Sequence, residues 1–483
     1  MPDNNTLPHP LIASIPIFML IAMVALVISL FGADALAGGS QIALLFATSV
    51  CVALSMGIYR KPWKEFEKMV EHTIGNASIS IVILLIIGML SGAWMVSGIV
   101  PTLIYYGIKI MSPEFFLFST CIICALVSVI TGSSWTTVAT IGVALIGISE
   151  ALSIPSGWTA GAIISGSYFG DKVSPLSDTT VLASSAAKTP LFTHIRYMVY
   201  TTVPSITIAL LVFLIAGFTI NSGSHPVNEQ YSAGLESTYN ISLWVLIVPA
   251  ITAFMIAKQV PSLVTLFVSA LLGGICAVIM QPHILTSIAE SSVTDITSLT
   301  KGMMKAFFTS TSVDTGNEQL NTLVSTSGMA GMLNTIWLIL CAMTFGGCMV
   351  ASGMLHSIMN VLLRMVHGTV GLVSSTVATG LTMNTVTGDQ YMSIIMTANM
   401  FSEAYEENGL ENRLLSRTTE DAVTVTSVLI PWNTCGMTQA TVLGVPTLTF
   451  VPYCVFNYVS PLMSIVIASI GWKIKRRATE TAA

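Results

Sequence analysis

Charge is scarce in this sequence. Only 8% of its 483 residues are Asp, Glu, Lys or Arg, while 53% are hydrophobic. A soluble chain needs far more charge to cover its surface, so a soluble protein is excluded. A mean hydropathy of +0.81 and many apolar runs of about twenty residues identify a multi-pass membrane protein. Arginine is missing from every predicted span, which removes the best clamp for a carboxylate substrate from the expected membrane interior. Of the eight cysteines most lie within apolar runs, and Cys121 and Cys124 have redox spacing without a second pair; buried thiols are expected. No nucleophile–base set or metal-ligand cluster occurs at useful spacing, so neither an enzyme nor a cofactor is expected. The start of the chain has no basic n-region, and Leu11–Phe31 is long enough to span, so no cleaved leader is expected.

What charge there is falls in telling places. Residues 1–75 hold two spans, Leu11–Phe31 and Gln41–Ile58, and a basic amphipathic stretch, Arg60–Lys68, which predicts an interfacial helix against membrane lipid. Residues 76–220 form a first unit, 221–328 a linker with two spans and a long extramembrane connection, 329–472 a second unit, and 473–483 a basic tail. In the first unit two apolar arms, Phe115–Ile130 and Thr136–Ile148, flank Thr131-Gly-Ser-Ser-Trp135. Arms of about 13–16 residues reach roughly 20–24 Å at 1.5 Å per residue, short of a ~30 Å hydrocarbon core. They predict a re-entrant hairpin, with two short tilted spans as the alternative. A second hairpin is predicted around Thr387-Gly-Asp-Gln390. Each hairpin precedes an interrupted span, one broken at Gly170 to Thr180 and the other at Pro431 to Gly436.

Those recurrences indicate a duplicated unit. Ser97-Gly98 matches Ser352-Gly353, Thr131-Gly132 matches Thr387-Gly388, and Gly170 is matched with Gly436 if Ala404–Arg413 is an insertion. Fourteen of the 18 Lys and Arg fall on one predicted side, only Lys109, Lys301 and Lys305 on the other, and Lys172 lies within a span. That bias puts both termini in the cytoplasm and gives the two units opposite orientations. Inverted repeats with discontinuous helices are the architecture of secondary transporters. The expected fold is therefore all-α and polytopic, with inverted repeats, re-entrant hairpins and broken helices.

A midplane site follows from the two tips and the two breaks. Thr131, Ser133, Ser134 and Thr136 come from the first tip, and Thr387 and Asp389 from the second. Gly170, Asp171, Ser174, Ser177, Asp178 and Thr179 come from the first break, and Asn433, Thr434 and Gly436 from the second. Hydroxyl, carboxylate and freed carbonyl oxygens suit Na+, expected at Asp171 and Asp389, and a carboxylate also takes up protons. Plainer roles stand beside these: an Asp171–Lys172 ion pair, Asp178 as a cap or as a partner of Lys188, Asp389 as a helix cap, and Trp135 and Trp432 as packing or gating residues. Glu420 and Asp421 are expected at the cytoplasmic interface, and Glu114, Glu150, His194, His356 and His367 at membrane boundaries.

Gly166-Ser-Tyr-Phe-Gly-Asp-Lys-Val-Ser-Pro-Leu-Ser-Asp-Thr-Thr180, with Thr387-Gly-Asp-Gln390 and Ile430-Pro-Trp-Asn-Thr-Cys-Gly436, resembles the NhaC family of Na+/H+ antiporters, from about Leu11 to Trp472. The resemblance implies a bacterial inner-membrane protein, a homodimer, and exchange of cytoplasmic Na+ for external H+ by alternating access. Because the family includes a malate–proton/sodium–lactate antiporter, Na+-coupled movement of a small organic acid or amino acid is the alternative, with Lys172 the candidate contact for its carboxylate. No nucleic-acid partner is expected.

Overall fold

The computed structural model describes residues 7–31, 38–220, 226–364 and 368–474. Within them eight helices are long and apolar enough to cross a membrane, or up to ten if each of two bent pairs is one span. The expected interfacial helix is not separate. Arg60 takes a left-handed backbone conformation, Pro62 starts the next element, and Trp63–Val96 runs as one helix of 34 residues. The 221–328 linker is also more ordered than its polarity suggests, with helices at Pro226–Thr238, Pro282–Ile288, Ile296–Phe308 and Glu318–Leu323. Residues 221–225, His367 and the tail residues Lys475, Arg476 and Arg477 lie outside the described residues.

The duplication is carried by a constant offset. Ser134 and Gln390, Ser156 and Asn412, Asp178 and Thr434, and Leu191 and Thr447 open successive helices, each pair 256 residues apart. The expected match of Gly170 with Gly436 and its insertion are therefore wrong. Gly170 lies in the last turn before the first break, Gly436 in the first turn after the second.

At each tip the same residues do the same work. Gly132 and Gly388 adopt φ of 67° and 65°, a left-handed conformation that glycine takes without steric cost. Thr131 and Thr387 accept the backbone N–H two residues ahead at 3.2 Å, and their hydroxyls meet that of the residue six ahead, Thr137 at 3.2 Å and Ser393 at 2.8 Å. Ser133 and Asp389 then cap the returning helices. The arms themselves are longer than expected: Pro113–Thr131 has 19 residues and Ser134–Ala151 has 18. Length therefore does not keep them from crossing, and both are long and apolar enough to be spans, the alternative to a re-entrant hairpin.

The tip lies against the following broken helix. Arm Pro113–Thr131 and helix Ser156–Val173 run parallel, because an added Cβ on Gly166 would sit 2.2 Å from the Cys121 carbonyl oxygen, and one on Gly170 2.4 Å from Ser128 Cβ. Ser128 Oγ donates to the Ser167 carbonyl at 2.5 Å. At the positions 256 residues on, Asn384 Nδ2 donates to the Val423 carbonyl at 2.7 Å. Between repeats the contacts run the other way. Thr179 meets Glu420 at 3.4 Å while Ser416 donates to the Ala183 carbonyl at 3.5 Å, so the helix Asp178–Ala186 packs antiparallel to the segment that holds Ser416 and Glu420.

Candidate functional site

Where the first tip meets the first break there is a cavity of about 360 Å³. Thr131, Ser133, Trp135, Thr136, Asp171, Asp178 and Thr179 line it, together with Gln390 and Tyr391 from just beyond the second tip and Asn76 and Ser80 from the long Trp63–Val96 helix. Asp171, only 4% exposed, has both carboxylate oxygens engaged. Ser134 donates its hydroxyl at 2.7 Å and its backbone N–H at 3.2 Å to Oδ2, and Ser177 donates to Oδ1 at 2.6 Å. Two of these donors are hydroxyls, which can turn a lone pair toward a cation and leave the carboxylate free to bind it.

Asp178 does not reach Lys188. It lies exposed at the cavity wall, where it accepts the Thr179 backbone N–H at 2.9 Å and the Tyr391 hydroxyl at 2.6 Å, the latter joining the first break to the second hairpin. Ser174 ties the break to the first arm by donating to the Val129 carbonyl at 2.8 Å.

The second tip is built for locking rather than lining. Asp389 is buried, and its carboxylate accepts the Met392 N–H at 2.7 Å as a helix cap. Thr434 N–H donates to the Gly388 carbonyl at 2.8 Å, Asn433 Nδ2 to the Asn384 carbonyl at 3.1 Å, and Trp432 Nε1 to the Thr385 carbonyl at 2.7 Å. Trp432, Asn433 and Thr434 thus hold the second break to the tip's backbone, Thr387 and Asp389 shape the tip itself, and Thr387, Asp389, Asn433 and Thr434 are not among the residues lining the cavity at Asp171. Asn caps a helix about as well as Asp, whereas Ala costs about 1 kcal/mol. Asp389→Asn should therefore keep the wild-type melting temperature in detergent and Asp389→Ala should lower it. Loss of Na+ flux in the Asn variant then reports the charge and not the cap.

The expected Asp171–Lys172 pair is not formed. Lys172 points away from the cavity and ion-pairs with Asp421, also donating to Ser460 at 2.9 Å. Asp421 receives Ser460 at 2.9 Å, Thr201 at 3.2 Å and Ser464 at 2.5 Å. Glu420 and Asp421 are fully buried rather than interfacial, and so is Arg417, whose guanidinium stacks 4.6 Å from the Tyr197 ring with Nε 4.0 Å from Asp421. The expectation of an arginine-free interior fails at this residue. Arg417 ends the charged stretch Glu403–Arg417, and Glu420 and Asp421 follow it directly, so the sequence places all three outside the interior. The tip-to-tip offset of 256 was the available signal, since it maps them onto residues 161–165 within the first broken helix.

A second cavity, about 540 Å³, lies farther along the same groove. Ile87, Ser91 and Met95 continue the stripe that begins at Asn76 and Ser80, and Val143, Gly147 and Glu150 continue the arm that begins at Trp135. Its cover is the 281–328 connection, through Ser310, Thr311, Ser325 and Ser327.

Comparison with known proteins gives one answer across the chain. The pattern of the Na+/H+ antiporter family matches residues 4–187 and 166–472. A Na+/H+ antiporter NhaC of Bacillus subtilis is 32% identical over 88% of this chain and 91% of its own. A malate-2H+/Na+-lactate antiporter of the same organism is 34% identical over 89% of each. An arginine/ornithine antiporter of Halobacterium salinarum is 32% identical over 97% and 93%. With similarity spanning both repeats and the whole of the site, this multi-pass membrane chain belongs to the Na+/H+ antiporter family.

Proposed function

We propose that this protein exchanges cytoplasmic Na+ for external H+ by alternating access, with buried carboxylates taking Na+ and H+ in competition. The observation that carries the reading is Asp171: a buried carboxylate at the wall of a cavity of about 360 Å³, held by serine hydroxyls from the tip and from the break. A carboxylate costs several kcal/mol to bury without a partner, so binding of either a cation or a proton is favoured there. Asp171 with Ser134, Ser177 and Thr131 is the proposed Na+ site, and Asp389 a second carboxylate whose charge contributes at the other tip. Two cavities along one groove support alternating exposure, and the 256-residue offset between matching helix starts supports the repeated units that such exchange uses. The basic-residue bias supports two cytoplasmic termini in a bacterial inner membrane, and the family resemblance supports a homodimer.

Na+-coupled exchange of an organic acid or amino acid is the second reading, favoured by two relatives' substrates and by Arg417, whose guanidinium nitrogens have no hydrogen-bond acceptor. Against it, Lys172 is already held by Asp421, and neither described cavity is lined by Arg417. Everted vesicles energised by respiration separate the two readings. Adding Na+ alone should collapse the internal acidity; collapse that requires malate, lactate, arginine or ornithine would replace the first reading with the second.

A further inference from the structure

Behind the cavity, the interior holds more acid than its bases can balance. Apart from Asp389, which caps the second tip, Asp171, Glu420 and Asp421 are buried in one cluster with Lys172 and Arg417, leaving that cluster one negative charge to be neutralised by one monovalent cation or one proton. Glu420 is the carboxylate with least to hold it. It is fully buried, its Oε2 has no hydrogen-bond partner, and its Oε1 meets only the Thr179 hydroxyl, at 3.4 Å. From Thr179 a chain of hydroxyls leads to the cavity: Thr179 Oγ1 to Ser177 Oγ at 2.9 Å, then Ser177 Oγ to Asp171 Oδ1 at 2.6 Å.

Resting on the exchange reading above, we propose that the two ions occupy different carboxylates: Na+ is held at Asp171 in the cavity, and the exchanged proton rests on Glu420, delivered through Ser177 and Thr179. Glu420 is not among the residues lining the cavity, and a proton needs only a lone pair. Each relay hydroxyl carries one proton and can point either way. When a proton arrives on Asp171 from cavity water, it passes to Ser177 Oγ as the Ser177 proton moves to Thr179 Oγ1 and the Thr179 proton to Glu420 Oε1. Three O–H bonds break, three form, and the negative charge moves from Glu420 to Asp171, where Na+ can bind it. Loss of the Glu420 proton by the reverse path, through Asp171 to the cavity water, then lets Na+ bind Asp171, and the cluster is neutral in both states.

The groups around Glu420 come from several elements. Asp171 and Lys172 lie on the helix before the first break, Asp178 after it, and Tyr391 and Tyr405 on the second hairpin's returning arm. His194 and Tyr197 lie on Leu191–Thr219, and Arg417 and Asp421 are on its own helix; Ser460 and Ser464 face Asp421 from the last helix. Lys172 and Arg417 are the fixed cations, and Asp421 is tied to Lys172, so Glu420 and Asp171 are the pair left to share the proton.

The test is Na+ binding to the purified, full-length protein by titration calorimetry across pH. In wild type the apparent Na+ affinity should fall about tenfold per pH unit on the acid side, as one proton competes with one cation. In Glu420→Gln the cluster is neutral without Na+, so binding should weaken and that slope should vanish. A wild-type slope in Glu420→Gln would overturn the proposal and leave the proton on Asp171, with Na+/H+ exchange itself intact. Absence of Na+ binding in the wild type would instead sink the exchange reading. Thr179→Val keeps both carboxylates. It should retain the slope and the affinity within about threefold but turn over at least tenfold more slowly, with Thr179→Ser restoring the rate; an unchanged rate in Thr179→Val would overturn the relay.

Discussion

Replacing Asp171 by Asn should reduce Na+-driven proton flux by about a thousandfold while leaving the protein folded. The size follows from electrostatics. Two unit charges about 4 Å apart attract by about 4 kcal/mol at an effective dielectric near 20, and each 1.4 kcal/mol is a factor of ten in affinity. The fold is spared because the Asn carbonyl oxygen can still accept from the Ser134 hydroxyl and N–H, while its NH2 can donate to Ser177 Oγ, whose own proton turns from Oδ1 toward Thr179 Oγ1. Flux in reconstituted liposomes and melting in detergent are measured on one preparation. Flux within tenfold of wild type would remove Asp171 from the site.

The second large effect is on stability. Asp421→Asn should lower the melting temperature far more than Lys172→Met. Without Asp421, Lys172 and Arg417 are both left as buried cations that have lost their shared carboxylate, and removing one member of a buried pair costs about 3–5 kcal/mol. Without Lys172, Asp421 still has Arg417 nearby and accepts hydroxyl bonds from Thr201, Ser460 and Ser464. Combining the two substitutions should recover part of the loss, because one stranded cation is removed with the anion. A Lys172→Met protein as unstable as Asp421→Asn, or a double variant worse than either, would contradict this account of the cluster.

Much of this architecture is legible in the sequence because glycine and threonine mark it. Thr131-Gly132 and Thr387-Gly388 announce two tips by a backbone requirement that other residues meet only under strain. Charges inside an apolar run likewise place Asp171 and Lys172 in the interior. Which charge meets which is another matter. Asp171 and Lys172 are neighbours in sequence, yet consecutive helical residues face different ways; one meets the first tip and the other the opposite repeat. Arg417 failed for a different reason. Burial of an arginine depends on partners brought in from other helices, Tyr197 and Asp421 here, and no local pattern reports them. At the second tip the backbone carbonyls of Asn384, Thr385 and Gly388 are occupied in holding Asn433, Trp432 and Thr434, which only the packed structure reveals.

The most direct test of the central claim is a pH-gradient assay in liposomes containing only this protein, with Na+ and H+ the only transported species offered. The account predicts that imposing an acid exterior drives 22Na+ out of wild-type liposomes with matching proton entry, and that Asp171→Asn liposomes show neither. Na+ movement without proton movement, or equal exchange in the Asp171→Asn protein, would contradict it.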